Sequence, residues 1–268
     1  MYKRQPLLFL ALLAGARAHE GEVEEGVEAS LTSVSLTSIL LTSFILGVLV
    51  LISIFKKRKT ERQKVFLFLG IIIPVILATA YIAGATIYLN LISQSQGPVH
   101  WHADFEIWKC GDDITLAEPQ GISNRIGTST FHEHGDMRIH VEGVIVNLED
   151  INLHEFIEAI GGDMTDDSIT LPTKIGVVEI KNGDMCNGKP GKWQAFLYKV
   201  TNPDPKKKSG FTFVQQKLDN FGEYVLSPYS NVPPGDCIVL EFDVEKSKTN
   251  HICETYEVAM KRGDITGS

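Results

Sequence analysis

Positive charge is the scarcer sign in this chain: 25 Lys and Arg face 33 Asp and Glu, a formal net charge of −8 with a pI near 5.5. Nucleic-acid binding needs a basic patch or stripe, so nucleic acid is excluded as a partner. Only 4 cysteines occur, and none stands in a Cys-x-x-Cys spacing, which argues against a thiolate zinc site. There is no Gly-x-Ser-x-Gly and no Gly-rich run leading to Lys-Ser/Thr. The first absence removes the common hydrolase elbow, the second the phosphate loop. Charge of either sign is missing from residues 34–55 and 65–92. Each stretch exceeds the ~20 apolar residues needed to cross a bilayer, so a wholly soluble chain is excluded.

What is present falls into segments. Residues 1–18 read as a secretory signal peptide, with an apolar run from Pro6 and small residues at Ala16 and Ala18 that predict cleavage before His19. The codons for Met1–Gln5 can be read as a sequence resembling a transposase end used in preparing sequencing libraries, so these residues are expected to be foreign to the gene. Residues 19–33 form an acidic external tail, 34–55 a first transmembrane helix, 56–64 a basic loop and 65–93 a second transmembrane helix. Short loops rich in Lys and Arg stay in the cytoplasm. That rule predicts a two-pass cell-membrane protein with both mature ends, and the main domain, outside. Neither span carries a charged residue, so the helices read as an anchor rather than a transport path.

Residues 97–268 form the extracytoplasmic domain, where Val99–Trp108 alternates apolar and polar residues as a half-buried strand does. Further strands are expected at Ile114–Leu116, Arg138–Val146, Lys174–Ile180, Lys192–Val200, Phe211–Gln215, Glu223–Leu226 and Cys237–Val244. A single helix is expected at Leu153–Ile160, capped by Asn152, with Leu153, Phe156, Ile157 and Ile160 on one stripe and Gly161-Gly162 at its end. The fold class is therefore α+β and strand-rich, β-grasp-like or sandwich-like, preceded by two transmembrane helices. Cys110, Cys186, Cys237 and Cys253 all lie in this domain and read as two disulfides, with Cys110–Cys186 and Cys237–Cys253 the favoured pairing.

Five of the 8 histidines lie between positions 100 and 140. They form His100-x-His102, His132-x-His134 and, six residues on, His140. Residues two apart on a strand share a face, so both imidazoles of each pair can lean toward one ion at about 2.0–2.1 Å. If the strands are neighbours, three to five imidazoles converge. Asp104, Glu106, Glu133, Asp136 and Glu142 are the carboxylates placed to support them. Imidazole suits both Cu²⁺ and Zn²⁺. The plainer alternative is the wet face of an amphipathic strand, in a domain whose histidines are structural and whose role is envelope interaction. A rival copper site is His19, whose amine and imidazole cleavage would free together.

The blocks Gly97-Pro98-Val99-His100-Trp101-His102-Ala103-Asp104-Phe105-Glu106, His132-Glu133-His134-x-Asp136-x-Arg138-Ile139-His140-Val141-Glu142-Gly143 and Pro233-Pro234-Gly235-Asp236-Cys237 resemble an uncharacterised family of prokaryotic membrane-anchored envelope proteins. The resemblance implies an extracytoplasmic location and a β-rich domain, with no activity attached. A second likeness is to the first cupin motif, through His100-x-His102-x3-Glu106; it implies a metalloenzyme, without the family's second motif. The sequence-based expectation is thus a membrane-anchored metal-handling or metal-sensing protein, with the lipid bilayer and a transition-metal ion as partners.

Overall fold

The computed structural model describes residues 27–56, 58–120, 122, 124–204, 206–227 and 235–267. The expected signal peptide, most of the acidic tail, His19 and Pro233-Pro234 lie outside the described residues. The chain divides into two compact units, Met1–Leu89 and Asn90–Ser268.

In the first unit α1 runs Val27–Phe55, and α2, Glu61–Ile92, extends to the unit boundary and just beyond. Both are long and apolar enough to cross a membrane. Leu40, Phe44, Phe66, Ile76 and Leu77 are among the many large apolar side chains they expose. A helix apolar all round, without a protein core of its own, fits a lipid solvent. Pro74 lies inside α2.

The second unit is strand-rich α+β. Its strands are β1 (Pro98–Lys109), β2 (Asp112–Asp113), β3 (Ile126–Gly127), β4 (Phe131–Glu133), β5 (Arg138–Val144), β6 (Asp163–Met164) and β7 (Ser168–Thr173), followed by β8 (Gly176–Lys181) and β9 (Met185–Cys186). Then come β10 (Lys189–Pro190), β11 (Lys192–Val200), β12 (Phe211–Leu218), β13 (Cys237–Asp243) and β14 (Ile265–Gly267), with helices α3 (Leu153–Ala159) and α4 (Glu254–Arg262). A mixed nine-stranded sheet runs in the order β14-β12-β11-β13-β1-β5-β4-β3, with β2 pairing β1 beside this path. β1 is central, parallel to β13 and antiparallel to β5.

One face of this sheet packs on α3 and the small sheet β6-β7-β8. Ala103, Phe105 and Ile107 of β1 join Ile139, Val141, Trp193, Ala195, Leu197, Ile238, Leu240 and Phe242 there, against Phe156, Ile157, Ile169, Leu171 and Ile180. α3 forms where expected: the Asn152 side chain accepts from the Glu155 amide at 2.9 Å, and Leu153, Phe156 and Ile157 are buried. On the other face, Tyr256 and Ala259 of α4 cover Phe196, Tyr198, Phe211, Phe213, Cys237 and Val239. That second cluster spans β11 to β13. The same face of β1, β5 and β4 is the polar half that carries the histidines.

Several sequence expectations are corrected. The strand expected at Lys174–Ile180 is β8 and starts only at Gly176: Lys174 and Ile175 form the turn of a hairpin whose other arm is β7. Glu223–Leu226 is a turn held by Tyr224 N–H on the Phe221 carbonyl, with only an isolated bridge from Val225 to Asn152. The return along β1 comes earlier than Ile114–Leu116: Asp112 and Asp113 make the pairing, Ile114 N–H adds one bond to the Ile107 carbonyl, and Leu116 bridges Thr173 instead. α4 was not anticipated. Both disulfides form in the expected pairing, Cys110–Cys186 and Cys237–Cys253.

Candidate metal centre

The register of three strands sets the site. His102 of β1 lies directly opposite His140 of β5, and His140 lies directly opposite His132 of β4. The three imidazoles therefore stand in one row across the sheet, on one face. His100 is one pleat along β1, opposite Glu142. The row exists because β1 and β5 each place their apolar residues, Phe105 and Ile139 among them, toward α3, which turns every second side chain outward.

β4 is held close by a glycine. At Gly127, φ is +116°, and a Cβ there would lie 2.4 Å from the Phe131 carbonyl oxygen and 2.9 Å from His132 Cα. Any side chain at 127 would push β4 and His132 away. His134 lies just past the end of β4, so its aim comes from the loop and not from the pleat assumed for the pair. Glu133, which is 1% exposed and points to the opposite side, accepts from the Met137 amide at 3.2 Å and tightens that loop. Burial pushes the Glu133 carboxyl above its usual range, although backbone amides of Met137, Gly135 and Asp136 work against it.

Two triads result, His100/His102/His140 and His132/His134/His140, each with ligand atoms within 4.8 Å of one another. Two nitrogens on one tetrahedral ion lie about 3.3 Å apart, from metal–nitrogen bonds near 2.0 Å. Small side-chain rotations close that difference. His100 Nε2 and His102 Nε2 already meet at 2.8 Å. Ring centroids lie 4.7 Å apart for His102–His140, 4.6 Å for His134–His140 and 5.4 Å for His132–His140, the last pair stacked.

Protonation and hydrogen bonding suit the ligand role. His134 Nδ1 donates to the Asn124 carbonyl. A carbonyl only accepts, so the proton is on Nδ1 and the Nε2 lone pair is available, the arrangement typical of a metal-bound imidazole. Burial pushes the His132 imidazole below its usual range. Burial also pushes His140 down to about 4, with Asp136 opposing and His102 reinforcing the shift. Both rings are therefore neutral at pH 7. His132 Nδ1 and His140 Nδ1 are buried without a hydrogen-bond partner among the described residues. Such groups cost about 1–3 kcal/mol each when left unpaired.

The carboxylates divide. Asp136 Oδ2 sits 3.4 Å from His140 Nε2, and Glu142 Oε1 sits 3.4 Å from His100 Nε2. Asp104 is instead engaged by Arg138 Nε at 2.6 Å and by the Thr255 hydroxyl of α4. Glu106 accepts from the Trp108 indole at 2.8 Å. It lies four residues past His102, about 13 Å along the strand. The His100, His102 and Glu106 of the cupin-like match therefore do not converge. A third group, His154 with Glu155 and Glu158 on α3, is open to solvent.

No protein-family description, curated protein or solved structure matches this chain. The chemistry therefore rests on the geometry: five imidazoles, with His132 and His140 held neutral by burial, and two carboxylates beside them.

Proposed function

We propose that this chain is a membrane-anchored, extracytoplasmic protein that binds Cu²⁺ or Zn²⁺ through His100, His102, His132, His134 and His140, for metal handling or sensing. The observation that carries the reading is the row His102–His140–His132 across three adjacent strands, flanked by His100 and His134. Imidazole is the ligand type both ions accept. The two disulfides fit an oxidising compartment. The run 56–64, rich in Lys and Arg, assigns the loop between the helices to the cytoplasm. The likeness to prokaryotic envelope proteins belongs to the same proposal.

The test is metal analysis of the full chain purified in detergent. Wild type should retain copper or zinc after dialysis, and a variant with His102, His132 and His140 all changed to Ala should retain none. Retention should weaken below pH 6.5, where protons compete for imidazole. A wild-type protein that keeps no metal would leave the envelope interaction module as the better reading.

A further inference from the structure

The two histidine triads share a ligand, and they differ in depth. His140 belongs to both. The His100 side chain is 59% exposed and that of His140 11%, whereas His132 is 1% exposed as a residue. The outer triad thus carries the exposed ring, His100, and the inner one the buried ring, His132, while His102 and His134 are both half-buried.

We propose that the five histidines form two overlapping positions for a single ion, an outer loading position (His100, His102, His140) and an inner holding position (His132, His134, His140), with His140 as the pivot that remains bound while the other ligands exchange. The inference rests on the metal reading above and adds the order of events at that site.

The argument is one of ligand supply. A neutral imidazole carries a proton on one ring nitrogen and offers a single free lone pair on the other, so His140 can serve one ion at a time. Filling both triads at once would also set two dications side by side at the spacing of neighbouring rings, where like charges repel. One ion is thus favoured over two. Exchange between the positions is short, because the ring centroids of His102 and His134 lie 4.7 and 4.6 Å from that of His140. Only the ligands on one side need change.

Depth sets the direction. Exposed His100 meets the hydrated ion first, with half-buried His102 behind it, and Glu142, 3.4 Å from His100 Nε2, adds negative charge at the entrance. His134 is fixed by Asn124 and His132 by burial, so the inner triad loses little side-chain freedom on binding. Tighter, slower-releasing binding follows for the inner position.

The experiment uses the full chain in detergent with Zn²⁺ as probe. Calorimetric titration reads stoichiometry, and stopped-flow mixing with a chromophoric chelator reads loading and release. One zinc per chain is expected. The pair His100→Ala/His102→Ala should keep the one-ion capacity and load at least tenfold more slowly. The pair His132→Ala/His134→Ala should load at the wild-type rate and release at least tenfold faster. His140→Gln should weaken binding more than either pair, and a wild-type thermal melt for that variant separates ligand loss from misfolding. Two ions of similar affinity, or His140→Gln binding as wild type does, would overturn the shared-ligand scheme. Equal loss of capacity in both pairs would overturn it too, in favour of one five-ligand centre. No zinc uptake by wild type would refute the metal reading itself, a distinguishable result.

Discussion

Arg138 shows how a single side chain keeps the histidine face ordered. It is the partner of an Asp104 whose side chain is only 5% exposed, and the Thr255 hydroxyl completes that carboxylate. Burial pushes the Asp104 carboxyl up, while Arg138 pulls it back down. Arg138→Ala would strand a buried carboxylate, at a cost of about 3–5 kcal/mol. Adding Asp104→Asn should restore part of the loss, measured by urea unfolding. His140 gives a second prediction at this scale. Its folded value is about 4 against 6.5 for a free imidazole, so between those values the unfolded chain takes up a proton that the folded chain refuses. Stability contributed by keeping this ring neutral is intact above pH 6.5 and lost as pH falls toward 4. Metal-free wild type should lose about 2–3 kcal/mol more than His140→Gln between pH 7 and 4.5. Parallel pH profiles for the two proteins would show that His140 ionises freely.

At the scale of elements, α3 supports the site without touching it. Phe156 packs on Phe105 of β1 and Phe131 of β4, with ring centroids 5.3 and 5.7 Å away. Those are strands that carry His102 and His132. Phe156→Ala should cost about 3–5 kcal/mol and also weaken metal retention, because the strands lose their common support. α3, β1 and β11 were legible in the sequence, since each shows its period and its stops within its own residues. β4 was not: three residues are too few to show a period. α4 escaped notice because Tyr256 and Ala259 are the buried residues among its nine, while the apolar Val258 and Met260 lie outside that pair, so no clean stripe shows. The pairing of β1 with β13 joins residues about as far apart as Asp104 and Cys237, which no local pattern reports. The five histidines were legible as candidates because clustering and HxH spacing are local. Their meeting was not, because it depends on strand order, on the close approach at Gly127 and on a loop that aims His134.

For the whole molecule, the proposed orientation in the membrane can be checked directly. Protease added to intact cells should remove the domain beyond Asn90. An epitope inserted between Lys59 and Thr60 should stay protected until the membrane is opened. An epitope cleaved from outside would reverse the topology. The acidic balance of the chain also bears on loading, since a negative surface draws cations in at rates that fall with ionic strength.

The position of β1 has a mechanical consequence. It starts at Pro98, a few residues after α2 ends at Ile92, so any pull exerted through the anchor enters the domain along this strand. An edge strand yields one hydrogen bond at a time, as a zip opens. β1 has β13 on one side and β5 on the other, with pairing along Asp104–Lys109 to the first and Pro98–Asp104 to the second. Tension must therefore shear two ladders that follow one another along its length. An ion gripping His102 and His140 would rivet the N-terminal half of that strand to its neighbour, so the force needed to extract β1 should rise with metal bound.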